Sequence, residues 1–135
     1  MPKKKFQKIE DLYENNSEIP KDAITYTIIL HETRKELDLS LNAYCVADTI
    51  YHLSNNPGSE IKGWCFASKK TLGKHLNLSP KTILRHIQIL INKDLVEKNR
   101  DDSKYIRTTQ KWYDNVVLMR IRMREYYDDK EKVIQ

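Results

Sequence analysis

The clearest pattern of apolar and polar positions in this 135-residue chain lies between residues 68 and 98. Ser68 and Ser79 each precede a stretch with apolar residues at helical spacing, so each is expected to cap the start of a helix. Pro80 suits the first position of the second helix, where its missing N–H removes no hydrogen bond. The pattern predicts two short helices joined by a turn that begins at Asn77.

Three residues at fixed spacing support a close crossing of these two helices. Gly73 is small at the point where the second helix is expected to cross the first. Asn77, four positions later, tolerates the left-handed backbone that the turn requires. Ile83, six positions further on, directs an aliphatic side chain back into the crossing. The other predicted core residues of the pair are Leu72, Leu76, Leu78, Ile87, Leu90 and Leu95.

The second predicted helix, residues 80–93, has a polar face opposite its apolar face. At about 100° per residue, Ile87 and Leu90 lie within about 40° of Ile83, and the predicted exposed stripe lies about 140–200° away. That stripe consists of Lys81, Arg85, Gln88 and Asn92, with Thr82 on its flank.

Short strands are expected on both sides of the helix pair. Residues 63–66 predict one strand, and residues 95–98 and 104–108 predict two more, joined by a polar tip over 99–103. A two-stranded hairpin after the second helix completes a winged helix-turn-helix. The predicted fold class is therefore α+β, mainly helical, with this motif at its centre.

The residues before the helix pair carry weaker patterns. Residues 23–31 are rich in β-branched and aromatic side chains, which predicts a strand at a sheet edge or one that pairs with a second subunit. Ser40 predicts the cap of a helix that ends near Leu53, before a loop over 55–58. Asp48 on this helix is expected to be a surface or capping polar group.

The residues from Lys111 onward fit two patterns. Trp112, Val116, Met119 and Met123 suit one face of a helix, although residues 118–123 also alternate as a strand does. A segment of about 20 residues without Gly or Pro is too long for an ordinary strand, which favours a helix. The predicted divisions are a flexible basic tail over 1–20, a winged helix-turn-helix domain over 21–110 and a helix over 111–135 for dimerisation or DNA contact.

Positive charge is concentrated on the helix pair and on the residues after it. The chain has 24 Lys and Arg against 19 Asp and Glu, a net charge of +5. Residues 62–124 contain 15 of these basic residues and 5 of the acidic ones, whereas residues 1–61 and 125–135 are net negative. Such a field attracts a polyanion, which releases its counterions on binding. Charge and motif together predict binding to double-stranded DNA.

The predicted DNA contacts lie on three elements. In the major groove Arg85 suits guanine and Gln88 suits adenine, because these side chains can form two hydrogen bonds to those bases. Residues at the two helix starts suit phosphates, and basic residues of the wing suit the backbone or minor groove. Asp101 and Asp102 oppose phosphate at the wing tip, unless they position neighbouring cations. The full predicted set is Lys69, Lys70, Ser79, Lys81, Thr82, Arg85, Gln88, Lys98, Arg100 and Lys104.

No pattern predicts an enzyme, a cofactor or a metal site. The four histidines lack a neighbouring nucleophile or acid–base partner in sequence, and His86 is expected at the edge of the core. Cys45 and Cys65 have no metal-ligand spacing and are expected to be ordinary core thiols. No signal peptide and no apolar run of about 18 residues are present, so a cytoplasmic location without a membrane partner is expected.

Two stretches of sequence match motifs of a known family. The first is an aromatic step followed by S-x-x-T-L-x-x-x-L, formed here by Trp64, Phe66, Ala67, Ser68, Thr71, Leu72 and Leu76. The second is L-S-x-x-T-I-x-R-x-I-x-x-L, formed here by Leu78, Ser79, Thr82, Ile83, Arg85, Ile87 and Leu90. Through these motifs residues 37–98 resemble a bacterial winged-helix family found in phage and plasmid replication initiators and replisome organisers. Gly73 departs from the alanine usual in that family.

Three functions are compatible with these features. The resemblance implies an accessory or initiator protein that binds a replication or transfer origin of a phage or plasmid, together with other replication or transfer proteins. A small winged-helix transcriptional regulator is the main alternative, with the C-terminal helix forming a homodimer. The third is a protein-interaction module whose basic face meets an acidic protein.

Overall fold

The structure is a computed structural model that describes residues 26–55, 62–66 and 68–134. Its elements, in chain order, are α1 (His31–Glu36), α2 (Leu41–Ser54), α3 (Lys69–Leu76), α4 (Pro80–Asn92), β1 (Val96–Lys98), β2 (Ile106–Thr108), α5 (Gln110–Trp112), a π-helical segment (Tyr113–Val117) and α6 (Leu118–Ile134). Strands β1 and β2 pair antiparallel, with Glu97 opposite Arg107. The described residues are therefore mainly helical with one small two-stranded sheet, as predicted at that level of detail.

The core lies between α2, α4 and the start of the C-terminal helical segment. Trp112 and Tyr44 are both fully buried, and their ring centroids are 5.2 Å apart. Ile83, Ile87 and Leu90 on α4 are buried as predicted. The predicted core residues Leu72 and Leu95 are buried as well, and Leu76 and Leu78 are partly buried and pack against the core.

The connection between α3 and α4 is as tight as the sequence predicts. A Cβ atom on Gly73 would lie 2.3 Å from the carbonyl oxygen of Leu78, so any larger residue requires the backbone to move. The amide of Leu78 donates to the Gly73 carbonyl at 2.9 Å. Asn77 adopts the left-handed conformation, with φ 58° and ψ 45°. These contacts determine how closely α4 crosses α3.

The predicted strand over residues 23–31 is wrong in its described part. Residues 26–30 form no strand, and α1 already begins at His31. Residues 23–25 and the predicted tail over 1–20 lie outside the described residues. Side chains take the hydrogen bonds that a strand would make with a neighbour. Tyr44 donates its hydroxyl to the Ile28 carbonyl at 2.7 Å, and its oxygen accepts from the Leu30 amide at 3.4 Å.

The predicted strand over residues 63–66 is reduced to one bridging pair. Cys65 exchanges backbone hydrogen bonds with Ile106, at 2.7 Å and 3.1 Å. Gly63 has a φ of +84°, so the chain turns immediately before this pair and cannot extend the ladder. Cys65 is buried and Cys45 half-buried, and both are free thiols.

Asp48 is buried, which corrects its assignment to the surface. Its side chain is 1% exposed and pairs with Arg120 of α6, which is 10% exposed, at 2.6 Å between Oδ1 and Nη1. His52 Nε2 lies 3.4 Å from the other carboxylate oxygen. Arg120 also donates through Nη2 to the Ile28 carbonyl at 2.6 Å and to the Tyr44 hydroxyl oxygen at 2.9 Å. This network fastens α6 to α2 and to the residues before α1.

The segment from Lys111 onward is helical, as favoured over a strand. It begins at Gln110, passes through the π-helical turn and continues to Ile134 without interruption. Trp112 and Val116 are buried, whereas every residue from 121 to 131 is exposed. The first part of this segment therefore belongs to the core and the last part does not.

Replacing Gly73 with Ala is expected to destabilise the protein by about 1–3 kcal/mol, because the new Cβ overlaps the Leu78 carbonyl oxygen. Urea unfolding of Gly73→Ala and of wild type measures the difference. The control is Lys74→Ala at the next, exposed position, which should change stability by less than about 0.5 kcal/mol. Equal stability of Gly73→Ala and wild type would show that the crossing is looser than described.

Replacing Arg120 with Met should cost about 3–5 kcal/mol, because it leaves the buried Asp48 carboxylate without its cation. Arg100→Met makes the same chemical change at an exposed residue and should cost less than about 0.5 kcal/mol. Combining Arg120→Met with Asp48→Asn should cost less than the two single losses together. A strictly additive double variant would contradict the pairing.

The Asp48 network should also make the free energy of unfolding depend on pH in the acidic range. Burial by itself raises the pKa of Asp48, but hydrogen bonds from His52 and Arg120 and the charge of Arg120 outweigh it and hold that pKa below its ordinary value of 3.8. Because its folded-state pKa is lowered, the ionised Asp48 carboxylate stabilises the protein at pH values above the unfolded-state pKa. This stabilisation is lost as the pH falls through the folded-state pKa. The stability difference between wild type and Asp48→Asn should therefore shrink as the pH falls below 3.8. A difference that is unchanged at low pH would contradict this account.

Candidate nucleic-acid interface

The starts of α3 and α4 are built in the same way. Ser68 Oγ accepts a hydrogen bond from the Thr71 amide at 3.1 Å, and Ser79 Oγ accepts from the Thr82 amide at 3.1 Å. Ser79 also donates its hydroxyl proton to Thr82 Oγ1 at 2.9 Å. The Ser79 hydroxyl is thus engaged in capping, and its proton is donated to Thr82 Oγ1, which leaves the Thr82 hydroxyl proton as a donor for another acceptor.

Both helix starts carry lysines and no acidic residue in the first turn. Lys69 and Lys70 begin α3, and Lys81 follows Pro80 in α4. A cation near the positive end of the helix dipole typically costs about 0.3–1 kcal/mol, so this placement does not serve helix stability. It does raise the positive potential at both helix starts, where unpaired backbone N–H groups already favour anions.

The outward face of α4 is polar and cationic, as predicted. Lys81, Arg85 and Gln88 are exposed and Thr82 is half-buried. Two apolar residues of the same helix, Leu84 and Ile89, are also exposed. The prediction from helical periodicity named no apolar contact residue, although Leu84 lies between Lys81 (i−3) and Gln88 (i+4) on the helix surface.

The hairpin between β1 and β2 ends in a turn closed by its own side chains. Asn99 Oδ1 accepts from the amides of Asp101, at 2.8 Å, and Asp102, at 3.3 Å. Asp102 Oδ1 in turn accepts from the Lys104 amide at 3.0 Å. The two carboxylates form no ion pair with Arg100 or Lys104 within the described residues, so Asp102 shapes the turn through the backbone.

The outer face of the hairpin carries an aromatic cluster that sequence reasoning missed. Arg107 donates through Nε to Glu97 Oε1 at 2.6 Å, and its Cζ lies 4.1 Å from the centre of the Trp64 ring. Phe66, 56% exposed, lies beside Tyr105 with ring centroids 5.1 Å apart. These residues are brought together by the single bridging pair, which nothing in the local pattern predicts.

The predicted cations on this side of the molecule share one property. None of them forms an ion pair with another residue in the part of the chain that the structure describes, whereas Lys93 and Arg107 do. The unpaired set is Lys69, Lys70, Lys81, Arg85, Lys98, Arg100 and Lys104. Their charge is therefore not neutralised within the described chain.

His86 lies at the boundary of the core, as expected. Burial, and then the charge of neighbouring Arg85, lower the pKa of His86, so its ring is neutral near pH 7. It adds no positive charge to the α4 face at that pH.

Over residues 26–55, 62–66 and 68–134, His, Cys, Asp and Glu form no cluster of three or more that could hold a metal ion. Within the same residues, no helix has the length and apolar content needed to cross a bilayer.

Comparison of the chain with protein-family models, with curated proteins and with solved structures gives no match.

Proposed function

We propose that this chain is a sequence-specific double-stranded DNA-binding protein in which α3, α4 and the β1–β2 hairpin act as a winged helix-turn-helix. The observation that carries the proposal is the division of α4 into two faces. Ile83, Ile87 and Leu90 are buried, whereas Lys81 and Arg85 are exposed and have no ion-pair partner among the described residues. A helix that enters the major groove needs this division, because one face anchors it while the other reads bases.

Each group on the exposed face suits a different part of DNA. Arg85 can form two hydrogen bonds to guanine, and Gln88 can do so to adenine. The exposed side chain of Leu84 suits the methyl group of thymine, which supplies an apolar contact in the major groove. Thr82 and the helix-start lysines suit phosphates, which fix the position of the protein but carry no sequence information.

The wing extends this surface in a second direction. Lys98, Arg100 and Lys104 are exposed around the hairpin tip and suit the backbone or the minor groove. Asp102 accepts a hydrogen bond from the Lys104 amide but is itself exposed. Asp101 remains exposed and limits how closely the tip approaches phosphate.

For the process, we propose binding at a replication or transfer origin of a phage or plasmid. This part of the proposal rests on the sequence resemblance of residues 37–98. DNase footprinting over the replicon and over the promoter of the gene tests it, because protection confined to the promoter would instead support a transcriptional regulator.

Arg85→Ala should weaken binding to the specific site by about 1–3 kcal/mol and relax the preference at one base pair. Competition gel shifts against a library of single-base variants of the footprinted site measure both effects. Lys35→Ala on α1 is the matched control, since Lys35 is exposed and lies outside the predicted contact set. Unchanged discrimination at every base pair in Arg85→Ala would mean that α4 does not read the DNA.

Lys69→Ala should weaken binding to all DNA sequences by a similar factor, because a phosphate contact carries no base information. The slope of the logarithm of affinity against the logarithm of salt concentration should become shallower by about one. Affinity measured by fluorescence anisotropy over a salt series gives this slope. A binding affinity that hardly responds to salt in wild type would instead favour an acidic protein as the partner.

A further inference from the structure

The last part of α6 leaves the body of the protein. Arg120 is the last residue of this helix held in the buried network, and residues 121–131 are all exposed. An isolated helix shorter than about 12–15 residues is marginal in water, because most helix stability in proteins comes from packing one face. The projecting segment has no such packing from the rest of the described chain, so it is suited to receive a partner.

One side of this segment is apolar. Met119, Met123, Tyr126 and Tyr127 are exposed and follow the spacing i, i+4, i+7, i+8 of a single helix face. Tyr126 and Tyr127 are 53% and 58% exposed, and their ring centroids are 5.4 Å apart. Lys130 follows Tyr126 by about one turn at the end of the stripe, with Nζ 4.8 Å from the centre of the Tyr126 ring.

The charges beside the stripe are arranged in two halves. Arg122 and Arg124 precede the acidic residues of the segment, which are Glu125, Asp128, Asp129 and Glu131. At about 100° per residue, Arg122 and Asp129 lie on one side of the stripe and Arg124 and Glu131 on the other, each about 80–120° from its centre. Each side therefore carries an arginine in its first half and a carboxylate in its second half.

We propose that the apolar stripe of α6 pairs antiparallel with the same stripe of a second copy of this chain. In an antiparallel pair each flank faces the same flank of the partner helix, so Arg122 faces Asp129 of the second copy, and Arg124 faces its Glu131. The midpoint of the first pair lies between Glu125 and Tyr126 and that of the second between Tyr127 and Asp128, so the two-fold axis passes near Tyr126 and Tyr127. The contact is a two-fold symmetric one that closes on itself.

The charge pattern also selects against other occupants. A parallel pair would place Arg122 against Arg124 and Asp129 against Glu131, and such like-charge contacts are unfavourable. DNA is disfavoured as the occupant, because four carboxylates lie on the outer half of the segment and repel phosphates. Of these three occupants, only an antiparallel copy covers the apolar stripe and also places opposite charges along both flanks.

The interface is short, so the dimer should be concentration-dependent. Stable interfaces bury about 1,200–2,000 Å² in total, and a pair of helical segments of three to four turns lies at or below the low end, where weak and transient contacts are found. We therefore expect a dissociation constant in about the micromolar range. Sedimentation equilibrium of the full chain without DNA measures it directly. Because no DNA is present, its failure would leave the DNA-binding proposal intact.

Charge reversal tests the pairing. Arg122→Glu with Arg124→Glu makes both flanks acidic along their whole length and should raise the dissociation constant by at least about tenfold. Lys35→Glu with Lys62→Glu is the matched control, because it makes the same change in net charge at exposed residues elsewhere. Adding Asp129→Arg and Glu131→Arg to the first variant reverses both halves and should restore the dimer.

Three results would overturn the proposal. The first is a monomer at every concentration up to about 200 µM, far above a micromolar dissociation constant. The second is an Arg122→Glu, Arg124→Glu variant that dimerises as well as its control. The third is a four-residue reversal that fails to restore dimerisation while retaining the helical circular dichroism of wild type.

Distances between the two copies test the direction of pairing. Spin labels on Cys replacing Tyr126 should be close to each other, whereas labels on Cys replacing Met119 should be separated by about 22 Å along the helix axis. Cys45→Ser in both variants removes the half-buried thiol, and the buried Cys65 is left unlabelled. Short distances at both positions would indicate a parallel pair and contradict the proposal.

Discussion

The close approach of α3 to the turn before α4 is the constraint on which the rest of the structure depends. Gly73 lies against the Leu78 carbonyl, and Asn77 takes the left-handed backbone that lets the chain reverse there. Together they set the direction of α4, and that direction decides which face of the helix is buried. The cationic face is exposed because Ile83 and the residues in line with it fill the interior. A helix held by so short a connection has a fixed direction, which suits the base reading proposed for it.

The buried pair of Asp48 and Arg120 is a second, independent constraint. Removing two charges from water is costly, and hydrogen bonds from Arg120 to Tyr44 and to the Ile28 carbonyl offset part of that cost. The pair joins segments that are 72 residues apart in the chain, so it fixes the start of α6 against α2. It holds the helix at Arg120, after which residues 121–131 are exposed. The accessible stripe of α6 is a consequence of where this anchor lies.

The two proposed surfaces differ in how their charge is arranged. Around α3, α4 and the hairpin, the cations predicted to contact DNA are exposed and have no ion-pair partner in the described chain, which suits a polyanion. Along the end of α6, both signs are present in an order that complements itself in an antiparallel pair. If both proposals hold, the α6 pair carries two copies of α4, and their separation determines the spacing of two DNA half-sites. A winged helix-turn-helix protein needs such a spacing to read a symmetric site.

Structural features that depend only on contacts between residues near each other in the chain were determined by the sequence alone. The caps at Ser40, Ser68 and Ser79 and the left-handed Asn77 could be predicted, because each depends on hydrogen bonds or steric limits within one turn of chain. The α4 faces followed from the same local periodicity. Tertiary structure alone decided that Asp48 is buried, because its cation is remote in the sequence and no periodicity reports it. It also decided which partners take the backbone hydrogen bonds of residues 26–30 and 63–66, since β propensity describes a residue's fitness for a strand but not whether a neighbouring strand exists.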